Sequence, residues 1–199
     1  MNASVNLFGW PVTLRHGEIV LRPLGMRDAV AWHQVRAANN DWLVPWEATS
    51  PVLVMPPKFR SYVRTLRAQA RQGTALPFVL EYGGELAGQV TVASITYGAM
   101  WSGSIGYWIA QSLGGRGIIP VAVAMVVDYC FDAGLHRLEI NVRPENTASL
   151  RVVAKLGFRE EGIRQRYLHI NGDWRDHRTF ALTREEVVGR LMDQVPAVK

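Results

Sequence analysis

The chain has 199 residues, of which 48% are hydrophobic and 20% are charged. This composition is typical of a folded globular protein, and the length favours one domain over two. The formal net charge of +5 suits an anionic ligand or partner without identifying nucleic acid as that partner.

Several absences from the sequence narrow the class of protein. The single cysteine, Cys130, excludes an internal disulfide framework, and the five histidines show no metal-ligand spacing. No apolar run reaches the roughly 18 residues that a membrane span needs. The first 20 residues lack the basic and apolar segments of a secretory signal. We therefore expect a cytoplasmic protein without a metal ion.

The first predicted elements are a strand and a helix. In GEIVLRPLGMRDA a strand begins near Gly17 and is interrupted at Pro23, and Asp28 suits the first turn of a helix. Apolar residues at helical spacing continue this helix to about residue 38. The following segment, 41–57, contains four prolines, which exclude a regular helix and predict an ordered loop.

A second helix is predicted over residues 59–73, where Gly73 ends it. Four arginines spaced four, three and four residues apart lie on one face of this helix: Arg60, Arg64, Arg67 and Arg71. A solvated face and a contact strip for an anionic partner such as RNA are both compatible with this pattern.

Strands and helices are then predicted in a mixed order. Strands at 76–82 and 85–95 flank the Gly83–Gly84 pair, which is a hairpin signal, and a third strand covers 102–110. After the helix that ends near Phe131, the predicted elements are a strand (136–142), a helix (146–158), a hairpin (167–182) that turns at Asn171–Gly172, and a closing helix (183–194) with a capping-box pattern. This order implies a mixed sheet with helices packed on it.

The most informative local pattern is GGRG at residues 114–117, directly before an apolar helix. The first amides of a helix have no partners within the helix, and their partial positive charge favours an anion such as phosphate. Arg116 would add a charge-assisted contact. A tight turn without a ligand is the alternative, and the spacing fits neither a Walker-type loop nor a Rossmann fingerprint.

Two long segments resemble the GCN5-related N-acetyltransferases, the GNAT family: GSIGYWIAQSLGGRGIIPVAVAMVVDYCF and RLEINVRPENTASLRVVAKLGFREEG. The outer segments LRPLGMRDA and YLHINGDWRDHRTFAL are similar to the RimJ/RimL-type branch of ribosomal-protein N-terminal (alanine) acetyltransferases. The resemblance covers about residues 17–185. It implies one acetyltransferase domain over residues 1–199 with the GNAT fold, an α/β architecture whose central, mixed, mostly antiparallel sheet of seven strands is flanked by helices.

The resemblance also implies acetyl-CoA as the acetyl donor. The residues that match coenzyme A-binding positions of the family are Trp108, Ile109, Ala110, Gly115, Arg116, Gly117, Ile118, Asn146 and Ser149. The glycine loop would hold the pyrophosphate, and the preceding strand would pair with the pantetheine arm. Gly114 stands where the family has Arg or Gln, and Ile119 stands where it has Gly or Ala, so the affinity for coenzyme A stays open.

Acetyl transfer to an amine needs a base, an oxyanion donor and a proton for the departing thiolate. Ser149 matches the serine that the RimL-type branch has near the thiol, and many other members use a tyrosine at the position of Val153. Our hypothesis is that Ser149 assists the return of the proton, with an ordinary helix-start serine as the alternative. A backbone amide near Ile109 or Ala110 would bind the oxyanion. Asn146 fits a helix cap as well as a coenzyme A contact.

The acceptor site is expected in the Trp- and Pro-rich loop. Glu47 is the candidate base, or a carboxylate that binds the ammonium without taking its proton, and proton loss through waters is equally compatible. Trp42, Trp46 and Trp174 are assigned to the walls of this site, with core packing as the alternative. The Asp176–His177 pair does not form one site by itself, because neighbouring strand residues point to opposite faces.

The leading hypothesis is an N-acetyltransferase that moves the acetyl group of acetyl-CoA to the N-terminal α-amine of a protein by direct attack in a ternary complex. Ribosomal proteins are the candidate acceptors. Contact with rRNA would use the arginine face, and the protein would be a monomer or a homodimer. One alternative is an acetyltransferase for a small amine, such as a polyamine or an antibiotic. The other is a degenerate member that binds an acyl-CoA or a partner without turnover.

Overall fold

A sheet of eight strands runs through residues 8–198, the part of the chain that the computed structural model describes. The strands are β1 (Leu14–His16), β2 (Ile19–Pro23), β3 (Leu76–Tyr82), β4 (Glu85–Thr96), β5 (Ser102–Ile109), β6 (Arg137–Val142), β7 (Arg159–Ile170) and β8 (Asp173–Thr183). Their order across the sheet is β1-β2-β3-β4-β5-β6-β8-β7. Neighbouring strands are antiparallel except β5 and β6, which are parallel.

The mixed, mostly antiparallel sheet with flanking helices is the architecture that the sequence predicted. Within the described residues the sheet has eight strands, one more than the seven that the sequence predicted. The additional strand, β1, has three residues and pairs with β2 across a turn at Gly17 and Glu18. Three residues are too few to show the period-two alternation that identifies a strand in a sequence.

Helices cover both faces of the sheet. The helices are α1 (Ala29–Ala38), α2 (Asn40–Leu43), α3 (Phe59–Arg71), α4 (Ile118–Asp132) and α5 (Thr147–Lys155). One cluster of buried side chains joins Trp32 of α1 and Val63 of α3 to Val79 of the sheet. On the opposite face, almost every side chain of α4 is buried in the main core, which explains why this helix is apolar all round. No helix in the described range is long and apolar enough to cross a membrane.

Two predictions about local structure need correction. The closing helix predicted at 183–194 does not form, although the capping box between Thr183 and Glu186 does. Only short 3₁₀ turns occur there, because Gly189 adopts a left-handed conformation with φ of +73° that interrupts a helix. The proline-rich loop is irregular from Glu47 onward, but it begins with helix α2 and a 3₁₀ turn.

An ion-pair cluster anchors the segment LRPLGMRDA. Arg22 Nη2 donates to Asp28 Oδ1 at 2.8 Å and to Glu81 Oε1 at 2.6 Å, and the Gly25 amide donates to Asp28 Oδ2 at 2.6 Å. Asp28 is only 6% exposed. Burial opposes its ionised form, but the contacts with Arg22 and Gly25 outweigh burial and hold the pKa of Asp28 below its ordinary value. The cluster fixes the start of α1 against the sheet.

Candidate active site

The two parallel strands β5 and β6 separate along their length. They are paired only where residues 102–104 of β5 meet residues 137–139 of β6. Toward their carboxyl ends a cleft of about 880 Å³ opens between them. The loop after α1, the glycine loop and the first turn of α5 complete its walls. This separation exposes the main chain of β5 to a ligand.

The register of β4 and β5 decides which amides point into the cleft. The Ala110 amide donates to the Ala87 carbonyl at 2.8 Å. Because hydrogen-bonding groups alternate along an antiparallel pair, the amides of Tyr107 and Ile109 point away from β4 and toward the cleft. Of the two amides expected to bind the oxyanion, that of Ala110 is therefore occupied. The Ile109 amide points into the cleft and is free to bind the oxyanion.

The glycine loop presents a row of free amides. Gly115 and Gly117 have φ angles of +78° and +89°, a left-handed conformation that favours glycine. Within the described range, the amides of residues 115–119 donate no hydrogen bond to protein atoms. The Ile119 side chain is 7% exposed and packs in the main core. Its bulk therefore leaves the loop open, and the Arg116 side chain is exposed beside it.

The first turn of α5 faces the same cleft. Asn146 Oδ1 accepts a hydrogen bond from the Ser149 amide at 3.0 Å, so Asn146 is a helix cap. The hydroxyl of Ser149 is not used in this cap. Tyr107 lies beside it, and the buried phenol oxygen of Tyr107 has no hydrogen-bond partner of good geometry in the described part of the chain. Burial raises the pKa of Tyr107 to about 12, although the neighbouring Ser149 lowers it in part.

The loop after α1 supplies the opposite wall. Trp42, Trp46 and Glu47 line the cleft, and Trp42 Nε1 donates to the Ile109 carbonyl at 3.1 Å. Arg36 Nη2 donates to Glu47 Oε2 at 2.6 Å. Glu47 is thus held in an ion pair at the wall of the cleft.

Contacts between arginines and aromatic rings stabilise this wall. The guanidinium of Arg143 lies 5.3 Å from the ring centroid of Trp46 and donates to the Pro45 carbonyl at 2.7 Å. The guanidinium of Arg36 lies 5.3 Å from the ring centroid of Trp108. Such cation–π contacts strengthen when they are shielded from water. The tryptophans therefore have fixed positions at the cleft.

Some predicted site residues lie elsewhere. Trp174 is 49% exposed, packs against His169 at 5.7 Å between ring centroids, and is not among the residues that line the cleft. The Arg116 side chain likewise does not line it. Cys130 is fully buried in the core, and burial raises the pKa of its thiol.

Sequence reasoning missed several residues of the cleft. Arg36 and Arg143 have no sequence pattern that assigns them a role, because their partners are distant in the chain. Tyr107 was predicted as part of the strand that pairs with the pantetheine arm, but the position of its hydroxyl beside Ser149 was not. His177 lines the cleft, whereas its neighbour Asp176 is exposed and accepts from the Arg166 amide at 2.7 Å. The two side chains do point to opposite faces, as the strand period requires.

Candidate metal ligands do not form a cluster in the described part of the chain. Within residues 8–198 no three side chains of His, Cys, Asp and Glu come together in a way that would hold a metal ion. The polar groups that face the cleft are main-chain amides, a serine, a histidine and charged side chains. These groups suit the binding of an anion and the transfer of a proton.

Comparisons with known proteins agree with this arrangement. A family model described as an acetyltransferase (GNAT) domain matches residues 18–159. The solved structure of Mycobacterium smegmatis RimJ in complex with CoA-disulfide is similar, with a TM-score of 0.85 and 46% identity over 94% of both chains.

Two curated relatives are also similar in sequence. The ribosomal protein uS5-alanine N-acetyltransferase of Escherichia coli is 30% identical over 176 residues, which are 86% of this chain and 91% of that protein. A Bacillus subtilis protein named as a probable N-acetyltransferase, YjcK, is 43% identical over 98 residues. That match spans about half of each protein, 49% of this chain and 54% of YjcK.

Proposed function

Because the chain belongs to the GNAT family of acetyltransferases, we propose that it acetylates the N-terminal α-amine of a protein, in the first instance a ribosomal protein. The acetyl donor is acetyl-CoA, and the amine attacks the thioester directly in a ternary complex. One domain over residues 1–199 performs the reaction. The E. coli uS5-alanine acetyltransferase supports this choice of acceptor, and the M. smegmatis RimJ complex with CoA-disulfide supports coenzyme A as the carrier.

The free amides of the glycine loop support the proposal that this loop binds the pyrophosphate of coenzyme A. An anion placed at Gly115, Gly117 and Ile118 would meet several unpaired donors and the amino end of α4. The exposed Arg116 would add a charge. The amides of Tyr107 and Ile109 would pair with the pantetheine arm, and the Asn146 side-chain amide would reach the same ligand. Bound there, acetyl-CoA supplies an activated acetyl group.

The charges that line the cleft favour a protein N-terminus over a polyamine as the acceptor. Among the described residues, the carboxylates that line it are Glu47 and Glu145. Glu47 is paired with Arg36, and Glu145 with Arg143 at 3.2 Å. A polyamine carries several positive charges, and no unpaired carboxylate of the cleft is available to bind them. A protein N-terminus carries one ammonium, which Glu47 can contact while it stays paired.

Residue roles follow from the two walls of the cleft. Ser149, on the α5 side, would return a proton to the thiolate of coenzyme A. The Ile109 amide would stabilise the oxyanion. Trp42 and Trp46 would enclose the peptide at the opposite wall, where Glu47 binds the ammonium.

A direct experiment compares acceptors at one concentration of acetyl-CoA. The panel contains a peptide with a free N-terminal alanine, the same peptide with a blocked N-terminus and an internal lysine, and spermidine. We expect turnover with the first alone, with the acetyl group found on the α-amine by fragment mass spectrometry. Preferential turnover of spermidine would support the small-amine alternative. Acetyl-CoA binding without any turnover would support the degenerate alternative.

The arginine face of α3 supports a further contact with ribosomal RNA. Arg60, Arg64, Arg67 and Arg71 are exposed, and no ion pair within residues 8–198 involves them. Unpaired arginines on one helix face form an electrostatic footprint for a phosphate backbone.

Charge reversal tests this RNA contact. R64E should lower the affinity for ribosomal RNA about tenfold and reduce the salt dependence of binding by about one unit of slope, with peptide turnover unchanged. R15E is the matched control, because it reverses the charge of an exposed arginine that lies outside α3. Equal losses for both variants would indicate a general charge effect and no specific face.

A further inference from the structure

His177 occupies the face of the sheet that carries the acceptor wall. It lies on β8 and is 3% exposed, yet it lines the cleft. Along β8, Phe180 and Leu182 pack in the core with α4, so the odd-numbered residues point to the other face. Thr179, on this other face, donates to Asn141 Oδ1 at 2.8 Å. The same face carries Trp108 and the loop after α1.

The hydrogen bonding of the ring identifies its tautomer. Nδ1 of His177 lies 3.1 Å from the Arg175 carbonyl oxygen. A carbonyl oxygen only accepts, so Nδ1 carries the proton and Nε2 carries the lone pair. No described residue donates a hydrogen bond to Nε2. A free basic nitrogen on a cleft wall is available to a ligand.

The surroundings keep this imidazole neutral. Burial is the largest effect and lowers the pKa of His177 below 6.5, and the positive charge of Arg143 acts in the same direction. The Arg175 carbonyl, Glu145 and Asp176 raise the pKa in part. Three further titratable residues lie near the ring. Tyr167 of β7 stands edge-on at 5.7 Å between centroids, Arg164 of β7 is opposite His177 in the strand register, and Arg175 lies two residues before it on the same face of β8. The net result is an unprotonated base near neutral pH.

We propose that Nε2 of His177 accepts the proton that the acceptor ammonium must lose, directly or through one water molecule. This inference rests on the proposed function. In the step, an N–H bond of the ammonium breaks and an Nε2–H bond forms, which leaves a neutral amine to attack. The imidazolium later releases the proton to solvent through the open cleft.

The geometry favours His177 over Glu47 for this step. Arg36 holds the carboxylate of Glu47, whereas Nε2 of His177 has no competing donor. His177 also lies on the face opposite to Ser149 and α5. The deprotonation of the amine and the protonation of the thiolate are thereby assigned to separate groups on the two sides of the sheet.

The test compares H177Q with D176N in the full chain. D176N changes the adjacent exposed residue on the opposite face and serves as the matched control. We expect H177Q to lower kcat about 100-fold or more, which is the usual contribution of a general base. Its KM for acetyl-CoA should stay within about twofold, and D176N should keep the wild-type kcat. A wild-type kcat for H177Q would overturn the proposal.

The pH profile of the wild-type protein gives a second test that does not depend on how H177Q folds. At saturating acceptor, kcat should fall about tenfold per pH unit on the acid side of a single ionisation below pH 6.5, because protonated His177 cannot accept a proton. A kcat that is constant from about pH 5 to pH 8 would contradict the role of His177. An absence of wild-type turnover with every acceptor would instead reject the proposed function itself.

Discussion

Arg36 Nη2 donates a hydrogen bond to Glu47 Oε2 at 2.6 Å, and the same guanidinium lies 5.3 Å from the ring centroid of Trp108. The pair joins α1 to the loop that lines the acceptor side of the cleft. It changes the interpretation of Glu47, because its carboxylate already accepts a hydrogen bond from Arg36, whereas Nε2 of His177 has no donor among the described residues. Glu47 is better suited to orient a positively charged acceptor than to deprotonate it.

The first prediction concerns Glu47. E47Q should raise the KM for an acceptor peptide about tenfold, because the ammonium loses a charged contact and Arg36 is left unpaired beside it. The decrease in kcat should be smaller than this change in KM. Steady-state kinetics with varied peptide measures both constants.

The matched control is D41N. Asp41 is an exposed carboxylate in the same part of the chain that does not line the cleft. Its variant should keep the wild-type KM. An unchanged KM in E47Q would show that the carboxylate does not contact the acceptor.

A second prediction separates the two polar residues at the start of α5. S149A should lower kcat about tenfold while the affinity for acetyl-CoA changes less, because the hydroxyl of Ser149 is outside the helix cap. The free energy of unfolding should be unchanged. N146A should instead lower that free energy by about 1 kcal/mol, since it removes the cap. Urea unfolding and initial rates provide the measurements, and equal rates for S149A and wild type would remove Ser149 from the mechanism.

The glycine loop allows a comparison between two glycines of similar conformation. Gly115 and Gly98 have φ angles of +78° and +70°, and a Cβ atom on either would meet no heavy atom within 4 Å. G115A and G98A should therefore both lower the free energy of unfolding by about 1 kcal/mol through backbone strain. Only G115A should weaken acetyl-CoA binding, by about tenfold, as measured by calorimetry. Equal affinities for the two variants would argue against phosphate binding at this loop.

A further prediction concerns stability in acid. The pKa of Asp28 is lowered in the folded protein, so the stability that its ionised form contributes is fully present above the ordinary value of 3.8. This contribution is lost as the pH falls through the folded pKa. D28N should lower the free energy of unfolding at neutral pH by about 2 kcal/mol, because it weakens charge-assisted hydrogen bonds with Arg22 and the Gly25 amide while Arg22 keeps its contact with Glu81. The difference between wild type and D28N should shrink below about pH 4, and a constant difference would contradict the assignment.

Local patterns predicted much of the fold from the sequence. The helix at Phe59–Arg71 and the hairpin turns at Gly83–Gly84 and Asn171–Gly172 are confirmed. Each depends on residues close together in the chain, whose conformational preferences act within a few residues. The capping box at Thr183 also forms, but the helix behind it does not, because a cap only starts a helix and nearby Gly189 interrupts it.

The sequence by itself determined the family, the order of most elements and the glycine loop before α4. The loop was predictable because its glycines and the apolar helix that follows are adjacent in the sequence. Only the tertiary structure decided which groups face the cleft. The separation of β5 from β6, the pairing of Arg36 with Glu47 and the position of His177 depend on contacts between distant segments. Such contacts follow from strand register and side-chain packing across the whole sheet, and no local pattern encodes them.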